Sequence, residues 1–331
     1  MTCYHSLVVG FWVFFSAAFG GSCAVDPQDH IEIRARTLDG FDLRDPSRRV
    51  FGELEYRGGL VLSSSNENFG GISALRMRSD GSHFFGATDR GFWLRGRIVY
   101  DGNRPTGIAD VEMKPVLDAD GNPAGRLDVE SIAVDGNTLY AGVERINSIF
   151  RFDFGRLGFL APGRPVAIPP AIKKWPGNQS LEAIVYVPRG YPLGGTLIVL
   201  SECGIDESGN AQAFLIGGST PGMFMVKRSD NYDISDAALL PSGDLLLLER
   251  KYFVQDGASM RIRRVPLGKI KPGALLDGKV LIEANKNYQI DNMEAIGVHR
   301  ASSGKTILTL MSDDNFSPDQ RTILLQFALM N

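Results

Sequence analysis

A chain of 331 residues, 44% hydrophobic and 22% charged, is long for a typical compact domain but normal for one large all-β barrel or propeller with a real core. The 35 basic residues are balanced by 38 acidic ones, for a net charge of −3, which excludes the basic footprint of a nucleic-acid binder. The 38 glycines and 17 prolines supply the tight turns that many short strands require.

In chain order, residues 7–21 form an apolar run of 15, short for a bilayer span, which needs about 20 residues. The run fits the apolar core of a secretory signal peptide, with Ser22-Cys23-Ala24 as small residues for cleavage after Ala24. The leader carries His5 but no Lys or Arg, and lipidation at Cys23 is the alternative fate. The expectation is a signal peptide over 1–24 and a single periplasmic or secreted domain over 25–331, monomeric and with no membrane span after cleavage. Only Cys203 then remains, so no internal disulfide can form; Cys203 has no His partner nearby in sequence and reads as a small packing residue.

Residues 31–62 hold strand-like stretches (IEIRART, GLVL) expected to complete a blade or close a ring with the C-terminal strand. From Gly71 onward one pattern recurs five times. A short apolar strand is followed by a polar turn, and a second apolar strand ends in charged residues. The second strands end in Asp89-Arg90, Glu144-Arg145, Ser201-Glu202, Glu249-Arg250 and Ser312-Asp313-Asp314. The first strands of copies two to five carry Glu130, Glu182, Asp236 and Glu294, spaced by 52, 54 and 58 residues. Such periods, with further strand-like runs near 146–154, 214–216, 260–265 and 322–329, predict an all-β propeller of five or six blades. The proline-rich stretches 160–165 and 168–170 read as loops, and the alternating Arg261, Arg263 and Arg264 as the exposed side of a strand.

In a propeller the first strand of each blade lines the channel, so Glu130, Glu182, Asp236 and Glu294 are expected to converge there. Converging carboxylates repel unless neutralised. A hard cation such as calcium, which takes six to eight oxygens, is one neutraliser, and Arg90, Arg145 and Arg250 are another. The competing expectation is purely structural: a polar residue that bonds the next blade's backbone would also recur. The loop 312–317 is rich in oxygen ligands but lacks the spacing of an EF-hand, and an Asx-turn loop explains it equally. His5, His30, His83 and His299 fall at no metal-ligand spacing, and a Ser-His-Asp triad would need Ser73 or Ser131 with His83 or His299. Trp93 and Trp175 read as packing residues.

Asp291-Asn292-Met293-Glu294-Ala295-Ile296, followed by 310–316 and Gln320-Arg321-Thr322, resembles the closing motif of the phytase-like family, also described as having the esterase-like activity of phytase. Gly70-Gly71-Ile72-Ser73, Ala87-Thr88-Asp89-Arg90-Gly91, Val129-Glu130-Ser131-Ile132 and Ser180-Leu181-Glu182-Ala183 are similar to its earlier motifs, so the resemblance covers nearly the whole mature chain. It implies an exported propeller with phosphoester or ester hydrolase activity, although the calcium-dependent phytases' own motifs are not closely reproduced.

The leading expectation is a calcium-assisted hydrolase of small phosphoesters. Glu130, Glu182, Asp236 and Glu294 would be its metal ligands, and Asp89, Arg90, Arg145 and Arg250 its substrate contacts. Glu144, Glu202, Glu249 or Asp313 would be the general base. The alternatives are a metal-dependent lactonase or carboxylesterase, and a non-catalytic propeller that binds a ligand or partner.

Overall fold

The computed structural model of the protein describes residues 29–330, so the leader, the cleavage site and Cys23 lie outside the described residues. Five antiparallel sheets, each antiparallel apart from one short edge pairing, form a five-bladed propeller, which settles the count at five. The innermost strands are Ile72–Met77, Val129–Asp135, Ala183–Tyr186, Asp233–Leu239 and Asn292–Arg300, and each packs against the inner strands of the blades beside it. Each pairs outward with a second strand: His83–Thr88, Thr138–Val143, Thr196–Ile205, Leu245–Phe253 and Thr306–Asp313.

The ring closes through the fifth blade. Its third strand, Thr322–Leu329, pairs antiparallel with Leu54–Ser63 from the N-terminal region, which in turn carries Arg34–Thr37. The expected closure by the N-terminal stretch therefore holds, and closing both chain ends into one sheet leaves the ring no open seam. The proline-containing pair Arg164–Pro165 is the outer edge of the second blade, where a missing N–H does no harm.

The inner and second strands are apolar on both faces because each blade is sandwiched between two others. Trp93, fully buried, meets Phe152 edge to face at 5.1 Å between blades one and two, and Trp175 is 6% exposed against Phe214. Serine hydroxyls staple successive blades. Ser73 donates to the Val129 carbonyl (2.5 Å), Ser131 to Leu181 (2.5 Å) and Ser235 to Met293 (3.0 Å). Ser73 and Ser131 thus spend their hydroxyls on backbone. His299 lies at the far end of its strand, buried and held neutral by desolvation, so no triad forms around it.

One expectation fails clearly. Arg261 and Arg263 are 3% and 2% exposed, not on an open face. Both bond the buried carboxylate of Glu249, from Arg261 Nε at 2.7 Å and from Arg263 Nε at 2.8 Å and Nη2 at 2.5 Å. Alternation does mark one face of a strand, but in a propeller that face meets the next blade. Tyr232 stacks on Arg261, whose Nη1 donates a hydrogen bond to Ser229 Oγ at 3.1 Å.

Candidate metal centre at one end of the channel

Strand register identifies the equivalent positions. Ala74 pairs with Ala87, Ser131 with Gly142, Ala183 with Leu200, Asp236 with Leu248 and Ala295 with Met311. Two residues beyond each partner stand Asp89, Glu144, Glu202, Arg250 and Asp313, one per blade, in the last residues of the second strand or just past it. One residue before each inner member stand Ser73, Glu130, Glu182, Ser235 and Glu294. In four of the blades this residue, where paired strands are compared, falls at a bulge, which re-aims its side chain.

The register moves two expected residues. In the fourth blade Ser235, not Asp236, matches the three glutamates, and Arg250, not Glu249, occupies the ring position. Asp236 therefore sits one step deeper. It is fully buried and bonds both Arg76 nitrogens, at 3.0 and 3.2 Å, and the N–H groups of Ile296 and Ala237. Arg76 also donates to the carbonyls of Leu75, Ile296 and Ile184, so its guanidinium bridges blades one, three, four and five. Glu249 is turned away, into the Arg261–Arg263 pair described above.

Glu130, Glu182 and Glu294 do come together: their carboxylate oxygens lie within 4.8 Å of one another, as do those of Asp128, Glu130 and Glu144. Glu130 belongs to both sets. Burial, then the facing carboxylates, hold Glu130 and Glu182 well above the usual carboxylate range. Asp313 is raised well above it by burial and by Glu294. Burial also raises Glu144, whose Oε1 accepts the Ser180 N–H at 2.5 Å. Glu202 is pushed up to about 7 by burial, with Arg250 pulling it down and Glu294 pushing it up. Asp89 is pushed up to about 6 by burial and by Asp128, and its Oδ1 is buried without a hydrogen-bond partner.

Arg250 lies inside this ring, bonding Glu202 at 3.2 Å and Asn292 Oδ1 at 3.1 Å and standing 3.4 Å from Glu294; its Nε has no partner. Asn292 also donates to Glu294 at 2.6 Å. The other two expected arginines stand at the same end but are engaged separately. Arg145, 69% exposed at its side chain, pairs with Asp128 at 2.6 Å. Arg90 lies 3.2 Å over the Phe316 ring and donates to the Glu67 carbonyl. The 312–317 loop is a pair of Asx turns: Asp313 accepts the Asn315 N–H, and Asp314 those of Phe316 and Gly71. Cys203 is half-buried, its thiol pushed up to about 11 by burial, which disfavours the thiolate.

Sequence reasoning missed three residues of this neighbourhood. Asp128 was marked by a second acid two places before Glu130, Asn292 by its place beside Glu294, and Arg76 by being a lone charge in an apolar inner strand. A cavity of about 810 Å³ opens at the opposite end, lined by Met77, Phe85, Tyr186, Tyr191 and Leu239, beyond the Arg76–Asp236 plug.

The donor set suits a hard cation. It is all carboxylate oxygen, half-buried to buried, with few cations beside it, as calcium and magnesium sites are. Such groups could hold a metal ion.

A family model described as phytase-like, with the esterase-like activity of phytase, matches residues 67–316. No curated protein matches the sequence. Among solved structures the chain is similar to an α-L-arabinofuranosidase from Podospora anserina (12% identity, covering 83% of this chain and 97% of that one, TM-score 0.49). It is also similar to a glutaminyl cyclase of Myxococcus xanthus (11% identity, 79% and 92% covered, TM-score 0.41) and to a nidogen/laminin complex (12% identity, 82% and 91% covered, TM-score 0.41).

Proposed function

The chain belongs to the phytase-like family, and from that premise we propose that it is an exported, monomeric hydrolase of small phosphoesters assisted by calcium. One observation carries the reading: Glu130, Glu182 and Glu294, from blades two, three and five, bring their carboxylate oxygens within 4.8 Å of one another, and burial with the facing carboxylates raises Glu130 and Glu182 well above the usual range. Glu130, Glu182 and Glu294, with Asp128 and Glu144, would hold the ion. A bound divalent cation would supply Lewis-acid polarisation of the scissile group. Arg250, with its free Nε, would orient an anionic oxygen of the substrate. Glu202, poised near 7 and hydrogen-bonded by Arg250, is placed to take a proton from an attacking water. Asp89 and Asp313 complete the ring.

A second reading, metal-assisted hydrolysis of carboxylic esters or lactones, is favoured by the engagement of Arg90 and Arg145, which leaves fewer cations for phosphate. Thermal unfolding with calcium and then with excess chelator tests the shared premise. A micromolar site at millimolar calcium adds about 4 kcal/mol, several degrees. No shift refutes the cation and leaves a ligand-binding propeller without hydrolysis as the better account. Turnover of aryl phosphates against lactones then separates the two hydrolases.

A further inference from the structure

Beyond the carboxylate ring, the second strands of three blades lead to exposed apolar side chains that the chemistry just described does not use. Past Glu144 stands Ile146, 50% exposed; past Glu202 stands Ile205, 47% exposed. Past Arg250 the second strand of blade four runs on through Phe253 to a hairpin tip where Tyr252, Phe253 and Val254 are 68%, 39% and 84% exposed. Three successive blades thus each place an apolar side chain two or three residues beyond their ring residue, at the same end of the channel. The hairpin is a fixed turn rather than a loose end. Tyr252 pairs with Ala258 and Phe253 with Gly257, Asp256 donates to the Phe253 carbonyl, and Lys286 caps Gln255. Residues two apart on a strand share a face, so Tyr252 stands on the side from which Arg250 reaches Glu202 and Glu294.

Charge sets what this rim can face. Glu130, Glu182, Glu202 and Glu294 face Arg250, and Asp89, Asp128, Glu144 and Asp313 adjoin them; these eight acids outnumber Arg250, Arg90 and Arg145 at this end, so a polyanion would meet net repulsion even beside a divalent cation. We propose that the substrate is amphiphilic: one small ester or phosphoester head seated at the carboxylate ring, and an apolar alkyl or aryl group lying against Ile146, Ile205, Tyr252 and Val254. This rests on the hydrolase reading but has its own readout.

The test is binding of an alkylphosphonate series, methyl to octyl, to the mature protein with calcium by calorimetry, alongside turnover of 4-nitrophenyl esters of matching chain length. A methylene half-covered by the rim tightens binding about twofold, so affinity rises about fifteenfold from ethyl to hexyl. V254S and Y252S, at an exposed tip, flatten that slope. Affinity independent of chain length overturns the proposal, whether or not the tip variants alter vesicle binding or self-association, either of which would reassign the rim. Absence of turnover on every ester, with the phosphonate slope intact, overturns the hydrolase reading and leaves the apolar subsite standing. Absence of phosphonate binding with chain-independent turnover does the reverse.

Discussion

Glu182→Gln separates a cation centre from a merely structural knot of acids. Oxygens within 4.8 Å, at an effective dielectric of about 20, repel by roughly 3.5 kcal/mol per ionised pair, and three pairs approach the whole stability of a domain. The cation-free protein must therefore keep protons on Glu130 and Glu182, at a free-energy penalty that grows by about 1.4 kcal/mol for each unit the pKa is raised. A neutral amide removes that penalty. In chelator the variant is expected to be more stable than wild type by about 1–3 kcal/mol, a melting temperature a few degrees higher. In millimolar calcium wild type gains about 4 kcal/mol and the variant, one ligand short, loses most of that gain. The order of melting temperatures then reverses between the two buffers, which differential scanning calorimetry reads directly. A variant that shifts equally in both buffers, in either direction, refutes the cation centre.

Further outcomes follow from the same geometry. Without cation, stability falls as pH rises from about 4.5 to about 7. Glu202 has a folded pKa near 7 against an ordinary 4.5, so the folded state holds the extra proton in that window, and 2.5 units correspond to about 3 kcal/mol. Urea unfolding in chelator across pH 4–8 checks the sign, and calcium, which binds the ionised form, should offset the loss. Asp236→Ala strands Arg76 and two N–H groups in the channel and should cost about 3–5 kcal/mol, equally with and without calcium, whereas the effect of Glu182→Gln changes sign between the two buffers. Glu249→Gln leaves Arg261 and Arg263 under-neutralised and should cost about 3 kcal/mol in urea unfolding, with the ratio of turnover rates on long- and short-chain esters unchanged. Gly71→Ala puts a Cβ against Asp89 and Phe316 at a φ of +57°, and should lower stability by about 1–3 kcal/mol.

The fold was legible because a blade repeats. Five copies of strand, polar turn and strand give five inner hairpins, and the unmatched N-terminal strands had to close the ring, as Leu54–Ser63 does against Thr322–Leu329. The blade count stayed open at five or six because that N-terminal segment looks like a blade of its own until its pairing is known.

The site was legible only to within one or two residues. Spacing in sequence counts residues, but the channel counts register, and a single bulged residue moves every later side chain to the other face. Asp236 and Glu249 both look like members of the repeated acidic positions, and each is displaced by the blade-four register: Ser235 and Arg250 stand where Glu130 and Glu144 stand in blade two. The displacement has a chemical consequence. It puts one arginine inside a ring of carboxylates, where Glu202 and Glu294 flank it, and sends the displaced acids to neutralise Arg76 and the Arg261–Arg263 pair. Blade four thereby supplies the ring's positive charge, while blades two, three and five supply the glutamates that a cation can bridge. A five-fold symmetric ring of acids would offer an anionic oxygen no purchase. On the proposed hydrolase reading, the break in symmetry at Arg250 would let one end of the channel hold a cation and an electron-rich substrate oxygen side by side.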